Sequence, residues 1–167
     1  MEVLPEDHPV RAELLEKLGY ILKWRYDRTG DLQGSKLAIA AWRAAASIPT
    51  AQLLTRIQAA SKAAQMLVVS PSATHGNDLS IACSLLYNAI YLIPLATSRS
   101  LEREDQQHIL GKLTGLAAFA AAVSLQVGQS PLEALRLLEL GRSVTNSQLL
   151  DYRSDISDLR DQHPTLA

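Results

Sequence analysis

The chain is poor in most of the residues that would fix its class at once. Of 167 residues, one is cysteine, one phenylalanine, two tryptophan and two methionine. One thiol excludes a disulfide framework and leaves too few thiolates for a structural zinc site. There is no charge of one sign: sixteen Lys and Arg stand against seventeen Asp and Glu, for a net charge of −1. Such a balance gives no global field to draw in nucleic acid or an anionic membrane. No alternating run of β-branched residues is long enough for a strand. The N-terminus, MEVLPEDHPVR, carries acid before any apolar run, so it does not read as a signal peptide. The most apolar stretch, Leu113 to Val127, is shorter than the roughly 20 residues of a membrane span. These absences predict a cytoplasmic protein that binds neither membrane nor nucleic acid.

What is present is hydrophobic residue at helical spacing, 47% of the chain, enough to bury a core. A first helix is predicted over about 9–27. Pro9 opens it, Leu14, Leu15, Leu18, Ile21 and Leu22 form its stripe, and Gly30 ends it. A second spans about 32–48, with Leu37, Ala38, Ala41, Trp42 and Ala45 inward and Pro49 as its stop. Its small side chains predict close approach of another helix, with Trp42 as filler. A third covers about 51–69 through Leu53, Leu54, Ile57, Ala60, Ala64 and Leu67. A turn-forming loop follows, then a fourth helix from Asp78 to Ile93, capped by Asn77 and broken by Pro94. It is apolar on most faces and belongs mid-stack. A long fifth helix is predicted over 101–127, with Leu113, Leu116, Ala120 and Val123 buried and Gly128 as its stop. Ser130-Pro131-Leu132-Glu133 is a capping box with Pro at the first helical position. It opens a sixth helix carrying Leu135, Leu138 and Val144, and a short seventh is predicted over about 155–162. Six or seven paired helices with short links predict an all-α fold, a bundle or α-solenoid.

Repeat spacing favours the solenoid. Leu15-x-x-Leu18-Gly19, then Tyr26, Ala38, Ala41, Trp42 and Pro49, resembles a tetratricopeptide unit. Gly19 would mark where its two helices touch, and Leu18 would pack on Ala38. The extended form is similar to the degenerate tetratricopeptide arrays of large fungal proteins that end in a CHAT domain, a caspase-like peptidase. Leu4-Pro5-Glu6-Asp7-His8-Pro9 and Arg25-Tyr26-Asp27-Arg28-Thr29-Gly30-Asp31-Leu32 carry the likeness at one end. The stretches from Arg99 to His108, Ser130 to Leu135, Leu138 to Arg142 and Arg153 to Leu159 carry it at the other. The resemblance implies one domain over 1–167: a recognisable repeat unit at 9–48, degenerate helical pairs at 51–127 and junction helices at 130–162. Ala73 to Thr97 follows the pattern loosely, and Gly34-Ser35 stand where an acidic helical stretch is usual. The chain stops at Ala167, about where such proteins lead into the peptidase, so peptidase chemistry does not carry over to it. What the resemblance implies is a non-catalytic protein–protein interaction scaffold, without cofactor or metal.

Candidate sites are sparse. Cys83 sits in an oily helix with no adjacent base and reads as a small buried residue. Glu104, Asp105 and His108 share one helix face, but one His and its carboxylates fall short of a metal site. Tyr20 and Trp24, four apart with Lys17 one turn earlier, make either a partner surface or a patch buried under the next helix. Arg142 and Arg153 are partner-facing if they support a junction with a following domain, and otherwise an ordinary charged face. Because a helical pair cannot bury its own outer face, an open end at helix one predicts self-association, with Leu14, Ile21 and Trp24 near the seam. A second class of function is a small-molecule-binding protein or enzyme with an apolar pocket between helices four and five, its polar groups supplied by Tyr87, Asn88, Tyr91 and His108.

Overall fold

The computed structural model describes residues 5, 7–69, 75–96, 111, 113 and 115–143. They form six helices: α1 (Pro9–Thr29), α2 (Leu32–Ser47), α3 (Leu53–Val69), α4 (His75–Ala96), α5 (Leu116–Gln126) and α6 (131–143). No strand occurs among the described residues. The fold is all-α and helical-repeat-like, each helix packing on the next in the chain and α1 also touching α3. The predicted seventh helix, Val144, Ile109 and the carboxylates of Glu104 and Asp105 lie outside the described residues.

Local chemistry sets the ends of α1 and α2. His8 Nδ1 accepts from the Val10 amide, Pro9 takes the first helical position, and Gly30 turns left-handed at φ 68° so that its N–H reaches Tyr26 O. The next residue caps the next helix: Asp31 Oδ1 accepts from the Gln33 amide at 3.0 Å, while Oδ2 holds Arg25 at 2.5 Å. That contact joins the bottom of α1 to the top of α2. At the other end, Thr50 Oγ1 donates to Asp7 O, and between them Trp42 Nε1 donates to Glu16 O at 3.1 Å. Partners whose numbers fall in one helix as they rise in the other define an antiparallel pair. Arg56 Nε then donates to Ala46 O at 3.2 Å, tying the start of α3 to the end of α2.

The α1–α2 contact is built from small residues around one large one. Ala12, Gly19, Ala38, Ala41 and Ala45 are buried beside Trp42, which is fully enclosed. A methyl group on Gly19 would lie 2.6 Å from Trp42 Cδ1, so the predicted touching point is there. The predicted stripe is not the buried one. Leu14, Leu18 and Ile21 are exposed, and Leu15 and Leu22 pack against the cluster that holds Ala38. Leu37 also faces outward. The reason is distance: backbones close enough to trap an indole over Gly19 leave no room for leucines between them.

A second cluster joins α3 to α6 through Ile57, Leu67, Leu86, Ile90, Ile93, Leu116, Val123 and Leu137. Helix α3 serves both clusters, turning Ala59 and Ala63 toward Trp42 and Ile57, Ala60, Ala64 and Leu67 the other way. Three expectations here are corrected. Helix α4 starts at His75, includes Asn77 and runs through Pro94 to Ala96. Pro94 removes one helical donor, but Ile93 and Ala96 on either side are buried in the core, which holds the last turn in register. The long fifth helix is interrupted: Gly115 takes φ 81°, open only to glycine at little cost, and α5 begins after it. In α6 the inward residues are Ala134, Leu137 and, in part, Leu140, whereas Leu135 and Leu138 face out. The glycine at 141 again marks the close approach, since a methyl there would collide with Ala117 Cβ.

Two expected helix boundaries hold, one stop and one start. After α5, Gly128 adopts φ 85° and donates to Leu125 O at 3.0 Å, while Gln129 N reaches back to Ser124 O. At the start of α6, Ser130 Oγ accepts from the Glu133 amide at 3.3 Å.

Candidate functional site

Helix α1 is apolar on two opposite sides. At about 3.6 residues per turn, Val10, Leu14, Ile21 and Trp24 project opposite the buried Ala12, Leu15, Gly19 and Leu22. Leu14, Ile21 and Trp24 are 54%, 62% and 61% exposed. With Lys17 and Arg28 they recur at spacings of four, three, four, three and four. That is the seam pattern of a helix meeting another helix. Arg28 lies over the Trp24 ring at 4.9 Å, covering one face of the indole.

Tyr20 and Trp24 are not one patch. Tyr20 leans against α2, meeting Trp42 edge-on with ring centroids 5.4 Å apart at 81°, while the rest of the side chain stays exposed. Burial, with Glu16 nearby, pushes its hydroxyl pKa up. Tyr20 also borders an open cleft of about 390 Å³ with Gln58, Ser61, Lys62, Leu113 and Phe119. Lys17 and Trp24 stay on the outer stripe. Arg142 is exposed and pairs with Glu139 at 3.0 Å on its own helix, and Arg153 lies outside the described residues.

The α4 residues named for a pocket come together in part. Tyr87 Oη and Tyr91 Oη are 3.1 Å apart, and that hydrogen bond raises the pKa of Tyr87 above the usual tyrosine value. Tyr87 and Asn88 form a ridge between two open clefts. One, about 600 Å³, lies against α2 and α3 and is bordered by Arg43, Arg56 and Tyr91. The other, about 480 Å³, lies against α5 and the start of α6. The second occupies the expected place between the fourth and fifth helices, but it is an open, mixed polar cleft and not an enclosed apolar one. His108 lies outside the described residues. Cys83 borders the second cleft half-buried, and burial pushes its thiol pKa up, away from the reactive thiolate. Sequence reasoning passed over Ser124, which faces this cleft and is 2% exposed.

No group of three or more His, Cys, Asp and Glu side chains gathers at metal-binding distance among the described residues. Gly76–Ala96 is long and apolar enough to cross a membrane, a longer apolar run than Leu113–Val127, yet Leu86, Ile90 and Ile93 within it are core residues. The fold therefore defines a class, an all-α protein of helical-repeat-like architecture. Comparison with family models, with characterised proteins and with solved structures finds no match to this chain.

Proposed function

We propose that this chain is a non-catalytic interaction scaffold, similar in kind to the tetratricopeptide arm of CHAT-type proteins, and that its outer α1 face is the seam for a second copy. One observation carries the reading: α1 bears an exposed apolar stripe directly opposite its buried one. A helix apolar on both sides is suited to the interior of a stack, with a neighbour on each side. The stripe from Val10 to Arg28 runs about 27 Å at 1.5 Å rise per residue. With a helix diameter of about 10 Å its footprint is roughly 270 Å², well below the ~800 Å² per partner of stable interfaces. Association through this seam alone is therefore weak and appears only at high protein concentration.

Lys17 sits in the middle of the stripe. A charged residue in the middle of such a seam lowers affinity and restricts register. Two variants of opposite sign follow. Ile21→Lys should abolish self-association without unfolding the chain, and Lys17→Leu should strengthen it. Multi-angle light scattering over a concentration series reads both. A strict monomer at high micromolar wild-type protein contradicts the seam, and so does association that both variants leave unchanged.

A further inference from the structure

We propose that the cleft between α4 and α5 binds a neutral, multiply hydroxylated small molecule of about monosaccharide size, independently of the α1 seam. The starting point is Ser124. It is 2% exposed, it faces this cleft, and its hydroxyl makes no hydrogen bond to any described residue. A buried hydroxyl without a partner is costly, and a ligand hydroxyl seated against it recovers that cost.

The groups around Ser124 suit the same chemistry. Ser80 and Ser84 donate to carbonyls one turn back, Gly76 O and Ser80 O, each at 3.1 Å. Their oxygens therefore remain as acceptors toward the cleft. Asn88 brings an amide with both donors and an acceptor, and Gln129 brings another. Tyr87 offers a ring face to the C–H side of a sugar. Charge excludes the alternatives. No Lys or Arg is among the described side chains bordering this cleft, and the nearby Arg136 guanidinium is paired with Glu133, so a phosphate or carboxylate finds no free counter-ion. Glu133, the one carboxylate among the described lining residues, is already held by Arg136, so an ammonium group gains little there. At about 480 Å³ the cleft falls within the range of roughly 300–1,000 Å³ usual for ligand sites. Its open side predicts weak binding, with a Kd of about a millimolar.

Cys83 borders the cleft and is the only thiol in the chain, so it reports occupancy directly. The rate at which a disulfide reagent such as 5,5′-dithiobis(2-nitrobenzoate) labels the full-length protein is measured with glucose, mannose or galactose at ~10 mM, about tenfold above the expected Kd. Glucose 6-phosphate and glucosamine serve as the charged counterparts. At least one neutral sugar should slow labelling threefold or more, and neither charged sugar should. Ser124→Ala should remove the protection while leaving the helical signal and melting temperature in place, and Asn88→Leu on the surface should weaken it. Saturation-transfer difference NMR with the same sugars gives a second reading that needs no thiol. No protection and no transfer from any neutral sugar overturns the proposal. Equal protection by charged sugars, or full protection in Ser124→Ala, overturns it as well.

Discussion

The α1–α2 pair and the α3–α6 body hold themselves together in different ways. The pair uses small residues and one key: Trp42 lies over Gly19, edge-on to Tyr20, with its N–H on Glu16 O. The body uses many medium-sized aliphatic side chains, Ile57, Leu86, Ile90, Ile93 and Leu137, none of which is unique in its surroundings. The first is specific in shape and fragile to any change of volume. The second spreads its stability and tolerates exchange among residues of similar size. Helix α3 belongs to both, so the two regions unfold together unless the key is removed.

The largest effect expected on that comparison is Trp42→Ala, which empties the centre of the first unit and should cost about 3–5 kcal/mol in chemical denaturation. Leu86→Ala in the body should cost about 2–4 kcal/mol, but Leu86→Met less than about 1.5 kcal/mol. Gly19→Ala should cost about 1–3 kcal/mol, because its methyl meets the indole and not a flexible chain end. The sharper form is the double variant. Once Trp42 is alanine, Gly19→Ala should turn from destabilising to stabilising by up to ~1 kcal/mol, the ordinary helix preference of alanine over glycine. A cost at Gly19 that persists without the indole would erase the distinction between the regions. Ser130→Ala should remove about 0.5–1 kcal/mol by loss of the α6 cap.

The smallest effect concerns the α1–α2 junction. The Arg25 guanidinium, followed by the backbone amides of Gln33 and Gly34, holds the Asp31 carboxyl below its ordinary value. A carboxyl lowered in the folded state adds stability above its unfolded pKa, and that contribution is lost as the pH falls through the folded value. The junction should therefore weaken in acid, below about pH 4. Asp31→Asn keeps a capping oxygen and should flatten that acid limb in a pH series of melting temperatures.

Much of the frame was legible because it is written in local chemistry. Pro9, Gly30, Gly128 and the Ser130 box mark ends through rules that need no tertiary contact. Gly19 opposite Trp42 was legible too, since a glycine in one helix and alanines in the next around one large residue admit few arrangements. The inner face of α1 was not. Leu14, Leu18 and Ile21 outweigh Ala12 and Gly19 in hydrophobicity, so bulk pointed one way and close approach the other. Pro94 misled because its neighbours are anchored by the core. Gly115 misled because glycine inside an apolar run is indistinguishable by pattern from one that stays helical. Ser124 gave no signal, because burial without a partner among the described residues is a property of the packed chain.

The outward stripe on α1 is tested most directly by sedimentation equilibrium of the wild-type chain at rising concentration, with Ile21→Lys beside it. Reversible association of the wild type at high micromolar concentration, and a monomer of unchanged melting temperature for Ile21→Lys, is the expected result. A wild-type chain that stays monomeric throughout, or an Ile21→Lys chain that associates as well as the wild type, would contradict it.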